Sequence, residues 1–184
     1  MIISISGYPG SGKSTVRGIL ARRLGYKEYS IGDLRGKLAI ERGLTIDELN
    51  ALGEIESWTD KDVDEYQRKL GEIEDNFVID GRTSFYFIPH SFKVFLKVDV
   101  EEGARRIMMS HRPDEPFVDS LSKKVEQIKA RVESDCRRYM QYYGVDMSDE
   151  SVFDMVIDTT NQLPDKVADQ ILDAVKLTTK FLDV

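Results

Sequence analysis

The segment Gly7-Tyr8-Pro9-Gly10-Ser11-Gly12-Lys13-Ser14-Thr15 constrains this chain more than any other stretch of it. It fits the pattern G-x-x-x-x-G-K-S/T. An apolar run, Met1 to Ser6, precedes it, and a run with Val16, Ile19, Leu20 and Leu24 on one helical face follows. Glycines at these positions let backbone N–H groups turn inward around an anion. The helix that follows adds the partial positive charge of its N-terminus. A strand, such a loop and a helix in this order hold phosphate. Gly7, Gly10, Ser11, Gly12, Lys13, Ser14 and Thr15 are therefore the residues expected on ATP phosphates. Lys13 reaches the β- and γ-phosphates and counts as catalytic, while the Ser14 hydroxyl ligates Mg²⁺.

The rest of the chain alternates short apolar strands with helices. Strands are expected at Met1–Ser6, Tyr26–Ser30, Phe77–Asp80, Phe92–Val98 and Phe153–Asp158. Helices are expected at about Leu34–Arg42, Ile46–Leu52, Lys61–Glu74, Glu101–Ser110 and Val118–Tyr143, with a last one from Pro164 to Leu182. That alternation predicts an α/β fold with a parallel sheet covered on both faces. A length of 184 residues suits a single domain. The net charge of -7 argues against a nucleic-acid polymer or an anionic membrane as partner. No apolar run approaches the ~20 residues of a membrane span. The single Cys136 excludes an internal disulfide and suits a cytoplasmic protein. His90 and His111 have no neighbours at zinc-ligand spacing.

Four further features surround the loop. Asp33, in Ser30-Ile31-Gly32-Asp33-Leu34-Arg35, falls at the carboxyl end of the second strand, where open α/β sheets bind ligands. It either orients metal-bound water or caps the next helix. Asp80-Gly81-Arg82 ends the third strand; Asp80 is a second candidate for the metal, and Arg82 can grip a phosphate in bidentate fashion. On the long helix, Arg131 and Arg138 share one edge beside a stripe of Leu121, Val125, Ile128, Val132, Cys136 and Tyr139. They either neutralise a transferring phosphoryl group or flank a charged helix, with Arg131 and Asp135 as an i,i+4 pair. Ser110 to Asp119, with two prolines between helices, reads as a lid hinge. Of the nearby Arg105, Arg106 and Arg112, one can stack on adenine, and Arg112 is the first candidate.

GYPGSGKST, SIGDLR, DGR and RVESDCRRYMQYYGVD together resemble the archaeal-type cytidylate kinases among the nucleoside monophosphate kinases. The resemblance implies a three-layer P-loop NTPase fold. It has a five-stranded parallel sheet with helices on both faces, a small acceptor-binding insertion (about 34–75) and a helical lid (about 110–120). It implies ATP, Mg²⁺ and a nucleoside monophosphate, most closely CMP or dCMP, as small-molecule partners, and a monomer. Lys13, Arg82, Arg131 and Arg138 become catalytic, Asp33, Arg35 and Arg82 acceptor-binding, and Ser14, Asp33 and Asp80 metal-site residues. Members usually carry an arginine three residues after the Gly-Asp aspartate; here Gly36 stands there and Arg35 one residue earlier, about 100° around a helix. The stretch Arg82 to His90 is also more aromatic than the family pattern, as a pocket lining or as packing by Phe85 and Phe87. Two other outcomes fit the loop: a P-loop kinase of a hydroxylated metabolite, with Asp33 as base, and a nucleotide-binding switch without transfer activity.

Overall fold

β1 (Ile2–Gly7) is buried along its whole length at the centre of a five-stranded parallel sheet, ordered β2 (Lys27–Ser30), β3 (Phe77–Asp80), β1, β4 (Phe92–Lys97) and β5 (Met155–Asp158). The computed structural model describes residues 1–56, 58–110 and 118–182, without side chains from 178 onward. Ile3 and Ile5 of β1 pack with Val16 and Leu20 of α1 (Lys13–Leu24) and with Val167 and Ile171 of α8 (Pro164–Leu182). On the opposite face, Ile2 joins Phe77, Ile79 and Ile88, with Val63 and Leu70 of α4 (Trp58–Ile73). The sheet is thus apolar on both faces, as a parallel sheet between helices requires. The buried serines of β1 are satisfied locally: Ser4 Oγ lies 2.7 Å from Ser91 Oγ, and Ser6 Oγ donates to the Gly81 carbonyl at 2.8 Å.

The strand register decides where the site forms. Asp80 of β3 (Phe77–Asp80) lies level with Ile5 on one side and with Ser30 of β2 (Lys27–Ser30) on the other. Gly7 lies level with Leu96 of β4 (Phe92–Lys97), and Lys97 with Asp158 of β5 (Met155–Asp158). The carboxyl ends of all five strands therefore meet at one edge, where open α/β sheets hold ligands.

Three helices lie between β2 and β3: α2 (Ile31–Glu41), α3 (Ile46–Gly53) and α4. They share a small core of Ala39, Ile46 and Leu49. A capping box between Thr45 and Glu48 starts α3. α2 begins earlier than the hydrophobic pattern predicts because Ser30 caps it, its side chain accepting from the Asp33 N–H at 3.2 Å. Asp33 is thus the third residue of the helix, and the cap assigned to it belongs to Ser30. Ser84–Phe87 forms a short helix, α5, where no element is predicted. Phe85 packs on Phe153 with ring centroids 4.7 Å apart, and buried Phe87 meets Tyr143 edge-on at 5.2 Å, so packing is the role of these rings. α6 (Val100–Met109) is capped by Asp99. α7 (Leu121–Tyr143) starts at its Ser120 cap, later than the predicted Val118, and ends at Gly144 with φ 65°. Among the described residues, no helix is long and apolar enough to cross a membrane.

Candidate active site

The loop after β1 wraps the N-terminus of α1, with Gly10 at φ 77° and Gly12 at φ 87°. Gly10 sits so close to α6 that a Cβ there would lie 2.3 Å from the Gly103 carbonyl oxygen. A side chain would drive the loop off the helix. Lys13 Nζ donates to the Gly7 carbonyl at 3.0 Å and the Tyr8 carbonyl at 2.7 Å. Burial, then the Arg82 and Arg131 charges, pull Lys13 down to about 7, against Asp80 and Asp135. Ser11 Oγ is buried without a hydrogen-bond partner, a donor ready for an anion. Gly10, Ser11, Gly12, Lys13, Ser14 and Thr15 all line a cleft of about 640 Å³ at the carboxyl edge of the sheet. Gly7 contributes its carbonyl from the strand end.

Asp80 and Arg82 enter the same cleft from the end of β3. The Ser14 hydroxyl donates to Asp80 Oδ2 at 3.1 Å. A hydroxyl and a carboxylate so close supply the hard oxygen donors Mg²⁺ takes when phosphates and waters complete its shell. Arg82 forms an ion pair with Asp135 of α7 at 2.8 Å, and its buried Nε has no partner. That leaves Arg82 able to meet an anion in the cleft.

Arg35 lines the cleft from α2. Its Nε donates to Asn50 Oδ1 at 3.1 Å, and one terminal nitrogen reaches the Thr59 carbonyl at 2.9 Å and Asp60 Oδ1 at 2.5 Å. The other terminal nitrogen is buried without a partner. The offset of one residue from Gly36, itself buried in α2, does not keep Arg35 from the cleft. Arg35 and Arg82 thus border one cavity, each with an unused donor. Asp60 and Asp64 of α4 border it too. Burial raises Asp64 to about 6, and Asp60 adds to the rise, although Tyr143 donates to it and Arg35 and Arg138 oppose the shift.

α7 supplies Arg131 and Tyr139 to the cleft. Arg138 behaves differently from its expected role. It is fully buried, bonded to Asp60 at 3.1 Å and Asp135 at 2.5 Å, and is not among the described residues lining the cleft. Asp135 pairs with Arg138 and Arg82, whereas the sequence spacing suggests Arg131. The buried face of α7 is accordingly more polar than the predicted stripe: Ser134, Asp135 and Arg138 lie inside with Ile128 and Tyr139. Opposite charges brought together there make that burial tolerable.

Asp33 is half-buried and is not among the described residues lining the cleft. Arg112, and the greater part of the Ser110–Asp119 hinge, lie outside the described residues. Asp60, Asp64 and Tyr139 line the cleft without having been singled out for it, as does Arg106, one of the three arginines considered for adenine. The D-x-x-x-D spacing of Asp60 and Asp64 marks one helical face, which was the available signal. Arg106 ties the two ends of the site together, donating to the Thr159 and Thr160 carbonyls at 2.9 and 3.0 Å and approaching the Gly10 carbonyl at 3.4 Å.

A parallel sheet with this loop, a lysine and several cleft arginines defines a P-loop kinase. The chain belongs to the cytidylate kinase-like family, whose model matches residues 2–161. It is 40% identical to a cytidylate kinase of Sulfurisphaera tokodaii, covering 91% of each chain. It is 36% identical to a cytidylate kinase of Halobacterium salinarum, over 95% of this chain and 89% of that one. In fold it is similar to shikimate kinase from Aquifex aeolicus, with a TM-score of 0.61 and 21% identity over 97% of this chain and 98% of that one.

Proposed function

We propose that this protein transfers the γ-phosphoryl group of ATP to CMP or dCMP, giving ADP and the cytidine diphosphate. One observation carries the assignment: the phosphate loop, Arg82, Arg131 and Arg35 border a single cleft, so donor and acceptor phosphates can meet without a second domain. Gly10 to Thr15 cradle the ATP phosphates, and Ser14 with Asp80 would hold Mg²⁺. Bound there, the metal would neutralise phosphate charge. Helices α2 to α4 form the acceptor-binding insertion, with Arg35 and Arg82 on the acceptor phosphate. The acceptor phosphate has a second pKa near 6 and is largely a dianion at pH 7, so it needs no general base. The protein's work is alignment and charge neutralisation by Lys13, Arg82 and Arg131.

Asp64 favours cytosine. A carboxylate accepts from the 4-amino group of cytosine, whereas uracil presents an oxygen there. Asp64 lines the same cleft as Arg35. A hydroxyl acceptor would need a free carboxylate base. Asp33 is not among the described residues lining the cleft, and Asp60 is held by Arg35 and Arg138.

The test is ADP release measured by a coupled assay with CMP, dCMP, UMP, AMP, GMP, shikimate and gluconate. Turnover with CMP or dCMP well above the rest is expected. Phosphorylation of a hydroxylated metabolite alone, or tight ATP binding without any product, would overturn the assignment.

A further inference from the structure

Asp80 has both carboxylate oxygens occupied by one helix. Ser14 Oγ donates to Oδ2 at 3.1 Å, and Arg17, one turn further along α1, places a terminal nitrogen 2.5 Å from Oδ1. Arg17 Nε is in turn held by Glu28 Oε2 of β2 at 3.1 Å. Asp80 is buried and Arg17 nearly so, which leaves their attraction weakly screened. Nothing in the phosphate-loop pattern calls for arginine at this position.

We infer that Arg17 is a positioning residue that withholds Asp80 from free divalent cations. The inference rests on the assignment of Ser14 and Asp80 as the metal-site pair. Without nucleotide, a cation approaching Asp80 meets the Arg17 guanidinium already neutralising it, with Lys13 and Arg82 also bordering the cleft. The local balance of charge is then unfavourable to a dication. Anionic ATP phosphates reverse that balance, so a cation carried on the nucleotide is accepted where a free one is not. Arg17 also fixes which oxygen of Asp80 faces Ser14. Metal and nucleotide are thereby coupled, each raising the affinity for the other.

The experiment is a titration of the full chain with Mn²⁺, following free ion by electron paramagnetic resonance, with and without a non-hydrolysable ATP analogue. Wild type should take up Mn²⁺ tightly only with the analogue. Arg17→Met should bind Mn²⁺ without nucleotide about tenfold more tightly than wild type, within the range of such couplings. Adding Asp80→Asn should abolish the gain. Arg17→Lys, which keeps the charge, should behave as wild type and serves if Arg17→Met does not fold. Arg17→Met with wild-type Mn²⁺ affinity, or Arg17→Lys with a raised one, would sink the inference while leaving the metal site standing. Mn²⁺ uptake with the analogue that survives Asp80→Asn unchanged would overturn the metal-site assignment itself, and the inference with it.

Discussion

Arg82 at the end of β3 and Asp135 inside α7 are joined by an ion pair of 2.8 Å. Asp135 also holds Arg138, Arg138 holds Asp60, and Asp60 holds Arg35. Charges of alternating sign thus run unbroken from the strand ends to α2. Tyr142 donates to the Gly53 carbonyl at 2.8 Å, and Tyr143 bonds Asp64, so α7 is fastened to α3 and α4 as well. The arginine expected on the phosphate, Arg138, is the middle link of this chain.

Arg138→Ala should act mainly on stability. It takes from buried Asp60 and buried Asp135 one of the two cations each holds, and breaking such buried pairs costs about 3–5 kcal/mol. Thermal unfolding should fall by roughly 10 °C, at 2–4 °C per kcal/mol for a domain of this size. An unchanged melting temperature with lost turnover would return Arg138 to the chemistry.

Arg131→Ala should do the reverse. Arg131 borders the cleft, where it can meet charge developing on the transferred group. Steady-state kinetics should show kcat lowered by about a hundredfold or more, the scale for one such donor. The KM for ATP and the melting temperature should change little. An unaltered kcat would remove Arg131 from the mechanism.

Nucleotide binding should draw in a proton. Lys13 sits at about 7 in the free protein because burial and neighbouring arginines disfavour its charge. ATP phosphates favour the charged form and raise it. Uptake should therefore approach one proton per ATP at pH 8 and shrink at pH 6. Calorimetry in buffers of different ionisation enthalpy measures it, and Lys13→Met should abolish it.

Asp64 makes both specificity and stability depend on pH. Its carboxyl is raised from 3.8 to about 6. Below pH 6 it protonates and ceases to be a pure acceptor, so the ratio of kcat/KM for CMP over UMP should fall. UMP carries the same phosphate and controls for phosphate titration. Because the folded value exceeds the unfolded one, ionised Asp64 costs stability above pH 6, and that cost disappears as the pH falls toward 4. Asp64→Asn should gain most in melting temperature over wild type at pH 8, and the gain should narrow by pH 5. A flat CMP/UMP ratio would rule out Asp64 as the reader of the base.

Gly7 to Thr15, the alternation of strands with helices and the apolar residues of β1, β3 and β4 were sufficient to specify the architecture. These signals are local: a glycine's permitted φ, a helix period and a buried strand depend on near neighbours in the chain. Arg82 and Arg131 could be picked out the same way, as arginines at a strand end and on a helix edge. What the sequence alone could not decide was which charge meets which. Arg131 and Asp135 have the spacing of a pair, yet Asp135 turns inward to Arg138 and Arg82. Asp33 follows a strand and has the chemistry of a metal-site residue, yet Asp80 is the carboxylate that meets Ser14. Arg17 looks like one more solvated helix residue until β3 is laid beside α1. Each of these choices depends on strand order and on the rotation of a packed helix. Those are set by burial of the whole core, and the tertiary structure alone brings partners such as Arg17 and Asp80, 63 residues apart, or Asp60 and Arg138, 78 apart, within hydrogen-bonding reach.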